Sequence, residues 1–133
     1  MKVNWPSIIV LSLALVGCKE EVRRSYSTIV DAKPEVEKGW IPRVLPASTV
    51  EIHESHNLDL NTGQGTFSFG QTDMEQFKKS LTAIGENESL RVAEINRARL
   101  KQEGFNLYQY QDFYLAVNWT QRRGQFWLKY QRG

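Results

Sequence analysis

The sequence predicts an α+β fold: one small domain whose first two thirds are helices packed on a short antiparallel sheet, ending in a C-terminal β-hairpin. Three observations predict it. Capping-box patterns with helical apolar spacing occupy the first two thirds. Sustained apolar/polar alternation appears towards the end, after one short run at Thr66–Phe69. The 133 residues are 41% apolar and 24% charged, enough for a single modest core.

In order along the chain, Ser27 can cap a helix running towards Lys38, with Ile29, Val36 and Trp40 on one face, Pro34 kinking it and Gly39 stopping it. Gly39 to Pro46 carries Pro42 and Pro46 and predicts an ordered extended loop held by Trp40 and Leu45. Ser48-Thr49-Val50-Glu51 reads as a capping box opening a short helix to about His56. Asn57 to Gly65 has the chemistry of a turn and feeds a short strand at Thr66–Phe69. Thr72-Asp73-Met74-Glu75 opens the strongest helix, with Met74, Phe77, Leu81 and Ile84 on one face and Gly85 at its end. Glu88 to Glu103 permits another helix. Leu107 to Trp119 alternates, Gln121 to Gly124 turns, and Gln125 to Gln131 returns as the last strand.

Composition excludes several classes. There is one cysteine, so neither a disulfide scaffold nor a cysteine-based zinc site is available. No repeat or low-complexity tract divides the chain. Residues 19–75 carry 6 basic and 10 acidic side chains, whereas residues 76–133 carry 10 basic and 5 acidic. The C-terminal half is therefore the cationic one.

The N-terminus reads as an address. Lys2 precedes an apolar run from Ser7 to Gly17 of only 11 residues, and a membrane-crossing helix needs roughly 20. The run meets Leu15-Val16-Gly17-Cys18 and then Lys19-Glu20-Glu21. That tetrapeptide resembles the lipobox of bacterial lipoproteins. The resemblance implies removal of residues 1–17 as a signal peptide, acylation (palmitate among the chains) of Cys18, a charged tether over residues 18–25 and a folded domain over 26–133. Lys19, in place of an inner-membrane retention aspartate, implies the periplasmic face of the outer membrane. Export removes nucleic acid as a partner. It leaves the membrane itself, reached through the lipid, and an envelope protein or anionic envelope polymer.

Within the domain, Lys38-Gly39-Trp40-Ile41-Pro42, Leu45-Pro46-Ala47-Ser48, Ile52-His53-Glu54 and His56-Asn57-Leu58-Asp59-Leu60-Asn61 resemble the YbbD head-like family of small uncharacterised lipoproteins. Tyr114-Leu115-Ala116-Val117-Asn118 is similar to it as well. The sequence departs from that pattern at Gly63-Gln64-Gly65, where bulkier residues are expected, and in the extended basic hairpin tip. The resemblance supports fold and location only: it carries over no activity, and no cofactor is expected.

Several side chains are candidates for chemistry. His53 and His56, at i and i+3 of the expected helix, could face one way, with Asp59 and Asn61 close behind; this is the one group with metal-ligand types. The ordinary alternative is helix termination with Asp59 and Asn61 bonding their own backbone in turns. A calcium loop from Asn57 fails at Thr62, where glycine belongs, and at Ser68, where a glutamate belongs. Arg122 and Arg123 at the last hairpin, with Trp119, Trp127 and Tyr130, could form a cationic aromatic surface, and Trp40 is a further binding candidate. Together these point to a non-enzymatic binding domain. A small envelope hydrolase using His53, His56 and nearby carboxylates, or an immunity or inhibitor protein, is the alternative.

Overall fold

The computed structural model describes residues 21–129; the expected signal segment, Cys18 and Tyr130 lie outside these residues. The chain is built on one antiparallel sheet of seven strands. These are β1 (Glu21–Thr28), β2 (Val50–Asn57), β3 (Thr62–Ser68), β4 (Thr82–Ala83), β5 (Asn106–Tyr110), β6 (Phe113–Asn118) and β7 (Arg123–Leu128). The spatial order is β1-β2-β3-β7-β6-β5-β4. Among the described residues three six-residue helices accompany it: α1 (Lys33–Lys38), α2 (Met74–Lys79) and α3 (Arg97–Gln102). The fold is mainly β, which corrects the expected α+β arrangement of helices packed on a short sheet.

The reasons are local signals overruled by strand pairing. The stretch expected to be a helix from Ser48 to His56 is β2, paired with β1 from Glu21↔Asn57 to Thr28↔Val50. Ser48 does not cap a helix there. Its hydroxyl donates to Asp73 Oδ1 at 2.6 Å and its amide to Oδ2 at 3.0 Å, tying the 42–49 loop to the start of α2. Burial alone would raise the Asp73 pKa, but these hydrogen bonds prevail and hold it below the ordinary value. Of the helix expected from Ser27, only Lys33–Lys38 forms, ending at Gly39 with φ of 91°. Glu21–Ser25, part of the expected tether, belongs to β1. Of the helix allowed over Glu88–Glu103, only α3 forms, capped by the Asn96 side chain. The Leu107–Trp119 alternation is two strands, β5 and β6, joined at Gln111-Asp112.

Alternation assigns each side chain to a face. On the first face, Ile52, Phe67, Phe126, Leu115 and Val117 pack beneath Ala32, Ile41, Leu45 and Phe77 from the connections. On the second face, Val92, Ile95, Leu100 and Phe105 cover Tyr114, Ala116 and Trp127. Strand β6 is buried throughout because both faces are covered there. Each fully buried Leu115 or Phe126 contributes roughly 1.5–3 kcal/mol.

β3 and β7 lock by reciprocal glycine–phenylalanine pairs: Gly65 lies opposite Phe126, and Phe67 opposite Gly124. Each ring lies across the facing glycine, so a Cβ on Gly65 would sit 2.4 Å from Phe126 Cζ, and one on Gly124 2.4 Å from Phe67 Cζ. The small residues at 65 and 124 leave room for these two rings, whose centroids are 6.3 Å apart.

Candidate functional site

Alternation along β2 separates the two histidines. His53 and Ser55 point to the second face, Glu54 and His56 to the first. His53 is exposed and His56 buried. The helix-based expectation that His53 and His56 share a site is therefore corrected: a period of two puts neighbours three apart on opposite sides.

On the first face, His56 Nδ1 is 2.6 Å from Glu54 Oε2, and the Trp40 ring stacks on the imidazole at 3.9 Å and 7°. Trp40 also lies over Gly63, whose hypothetical Cβ would be 3.3 Å from its ring. The glycine there, where a bulkier residue was expected, leaves room for the indole. Glu35 from α1 joins the group, carrying Arg24 Nε and Lys38 Nζ, each at 3.5 Å. The Glu54 side chain is wholly enclosed and its Oε1 has no hydrogen-bond partner. Burial pushes its pKa up, helped by nearby Glu35 and opposed by His56 and Arg24. Burial also raises the Tyr26 phenol, with Glu35 acting in the same direction. Glu35, Glu54 and His56 form the one group among the described residues with ligand-type atoms all within 4.8 Å. A metal would have to displace Arg24 and Lys38 from Glu35 and separate His56 from Glu54. The arrangement fits an internally compensated ion network better than a metal centre.

On the second face, β1, β2 and β3 are left uncovered. Arg23 and Ser25 from β1, His53 and Ser55 from β2, Gln64 and Thr66 from β3, and Gln125 and Trp127 from β7 line a hollow of about 500 Å³. Ser25 Oγ and His53 Nδ1 are 2.8 Å apart. The lining offers a guanidinium, an imidazole, three hydroxyls, two amides and the edge of a mostly buried indole. That set hydrogen-bonds a polar ligand and places positive charge beside it.

The remaining candidates scatter. Trp119 belongs to the first face, against Phe69, Phe77 and Tyr108, with its indole N–H donating to Tyr108. Trp127 belongs to the second. The cationic aromatic surface expected from Trp119, Trp127, Arg122 and Arg123 is thus split across the sheet. Arg123 lies 5.2 Å over the Phe105 ring and bonds Gln121, while Arg122 is an exposed turn residue with φ of 54°. Asp59 and Asn61 lie in the β2–β3 turn, where Asn57, not Asp59, accepts from the Leu60 amide. Sequence reasoning missed Arg23, Ser25, Gln64, Thr66 and Gln125, and missed Glu35 altogether. The signal for the first group was a strand at 50–57, which fixes what lies beside His53.

Residues 20–68 match the YbbD head domain. The YbbD head match takes in β1, α1, β2 and β3 and stops at the last residue of β3. It contains Glu35, Trp40, Glu54 and His56, and three of the four strands lining the hollow. Tyr114–Asn118, part of the sequence resemblance, lies outside the matched residues. No curated protein and no solved structure matches the chain.

Proposed function

We propose that this chain is a lipid-anchored protein of the cell envelope whose domain is a non-enzymatic binding module, facing the periplasm from the outer membrane. The observation carrying the binding role is the uncovered half of the second sheet face. The other half is sealed by the 84–105 segment, and the first face is packed beneath the 29–49 connection and α2. The open half collects polar side chains from four strands around one hollow. The lipobox-like Leu15-Val16-Gly17-Cys18 supports the anchor. The partner this lining suits is a polar or anionic envelope component, a protein segment or polymer, which Arg23 attracts and the imidazole, hydroxyls and amides orient.

Photocrosslinking in the intact envelope tests this. A photoreactive residue at exposed Gln64 is expected to give a discrete adduct that Thr66→Arg, filling the hollow, abolishes. The same probe at Lys79 on α2 should give none. Equal labelling from both positions, or an adduct indifferent to Thr66→Arg, removes the hollow from consideration. Mass spectrometry of the purified protein should show residues 1–17 gone and acyl mass on Cys18.

The hydrolase alternative has one observation in its favour, the Ser25–His53 contact in the same hollow. No carboxylate is bonded to that imidazole among the described residues, and His56 is on the other face. The purified protein is accordingly expected to show no hydrolysis of envelope polymers or peptides that Ser25→Ala removes.

A further inference from the structure

Two of the most exposed large apolar side chains are Leu58 and Leu60, at 60% and 59% exposure, both in the turn between β2 and β3. The turn holds Leu58-Asp59-Leu60-Asn61, with Asn57 Oδ1 accepting from the Leu60 amide. That hydrogen bond constrains the turn locally. Nothing among the described residues covers the leucines.

The register places this turn at one particular end of the molecule. β1 begins at Glu21, and Glu21 is paired with Asn57, the residue immediately before Leu58. Cys18 precedes Glu21 by three residues, a span of at most about 10 Å for any chain. The β2–β3 turn is therefore held next to Glu21, three residues along the chain from Cys18. Val30, more exposed still at 74%, follows the opposite end of β1, where Thr28 pairs with Val50. An eight-residue strand separates the two ends by roughly 25 Å.

We propose that Leu58 and Leu60 are a membrane-seating tip, inserted into the interfacial layer of the bilayer that holds the acylated Cys18. This rests on the lipid-anchor reading above. The acyl chains confine the β1 start to the bilayer surface, so the tip contacts lipid without any separate encounter. Each leucine transfers apolar area out of water, and the short charged stretch at Lys19–Glu21 leaves the domain little freedom to swing away. Seating this end fixes the strands upright or steeply inclined, with the Val30 end directed away from the membrane.

Full-length mature lipoprotein in vesicles of phosphatidylcholine and phosphatidylethanolamine tests the proposal. With Cys18 acylated, a cysteine introduced by Leu60→Cys is the one free thiol and accepts an environment-sensitive fluorophore. Its emission is expected to shift to the blue and rise severalfold on vesicles, and to be quenched by brominated acyl chains. The same label at Val30→Cys should stay water-exposed. A label at 60 as water-exposed as one at 30, on protein that floats with the vesicles, overturns the tip while leaving the anchor standing. Protein that neither floats nor carries acyl mass overturns both.

Discussion

Gly65→Ala is expected to destabilise the protein by about 3 kcal/mol, although it adds one methyl group. On an extended strand such a change ordinarily helps slightly, because glycine loses more backbone freedom on folding than alanine. Here the new Cβ would sit 2.4 Å from Phe126 Cζ and 2.5 Å from the His53 carbonyl oxygen. Neither neighbour yields cheaply. The ring is fully buried and held edge-on by Phe113 at 6.0 Å, and the carbonyl belongs to the adjacent strand β2. The overlap therefore outweighs the entropy gain, and for a domain of this size the melting temperature should fall by about 10 °C. Phe126→Leu supplies the check. Alone it costs stability, but combined with Gly65→Ala it should cost less than the sum, because the leucine withdraws the atoms that clash. Strictly additive losses in urea unfolding would show that the ring is not what excludes a side chain at position 65.

The same reciprocal pairing explains what could be read from the sequence. The last strands were legible because one face of each is apolar at every second position: Phe113, Leu115 and Val117 on β6, and Phe126 and Leu128 across from them on β7. The start of the Met74 helix and the Gly39 stop were legible too, but that helix ends at Lys79, not Gly85, because Thr82–Ala83 pairs with β5 as β4. β2 was not. Its inward positions are Ile52, Glu54 and His56, so two of three buried side chains are polar and the period of two is hidden. A capping-box pattern from Ser48 to Glu51 offered a stronger local signal, and only pairing with β1 and β3 overrules it. Even there the pairing is irregular, with a register shift between Val50 and His53 and φ of 53° at Glu51. β1 was hidden for a related reason: as an edge strand it is mostly exposed and polar.

The candidate sites follow the same division. His53 and His56 were singled out by residue type, but their separation onto two faces depends on β2 being a strand. Glu35 comes from α1, 19 residues before Glu54, and no local pattern links the two. The open hollow needed the sheet order, because β7 inserts beside β3 and brings Gln125 and Trp127 to residues 60 positions away.

The polar pair that concealed β2 also makes its stability pH-dependent. His56→Ala is expected to cost about 3 kcal/mol at neutral pH, because it strips a buried carboxylate of its bonded partner. Glu54 already has one oxygen without a hydrogen bond and a pKa raised chiefly by burial. The sign follows from proton counting. Between the ordinary value of 4.5 and its raised folded value, the folded state holds a proton on Glu54 that the unfolded chain has released. Its contribution is thus fully favourable below about 4.5 and is lost as pH rises through the folded value. Removing His56, whose hydrogen bond and charge lower that pKa, pushes it further up and widens the window. The His56→Ala penalty should therefore shrink as pH falls through the raised Glu54 value towards 4.5, where Glu54 can escape its charge by taking a proton. Asp73 acts the opposite way: its pKa is lowered, so its stabilisation is lost only as pH falls through and below the ordinary value of 3.8, outside this range. Glu54→Gln removes the titrating group, flattening the profile, and the double variant Glu54→Gln/His56→Ala should be more stable than His56→Ala alone. A penalty constant across pH, with no rescue by the amide, would mean that lost stacking on Trp40, and not the stranded carboxylate, sets the cost.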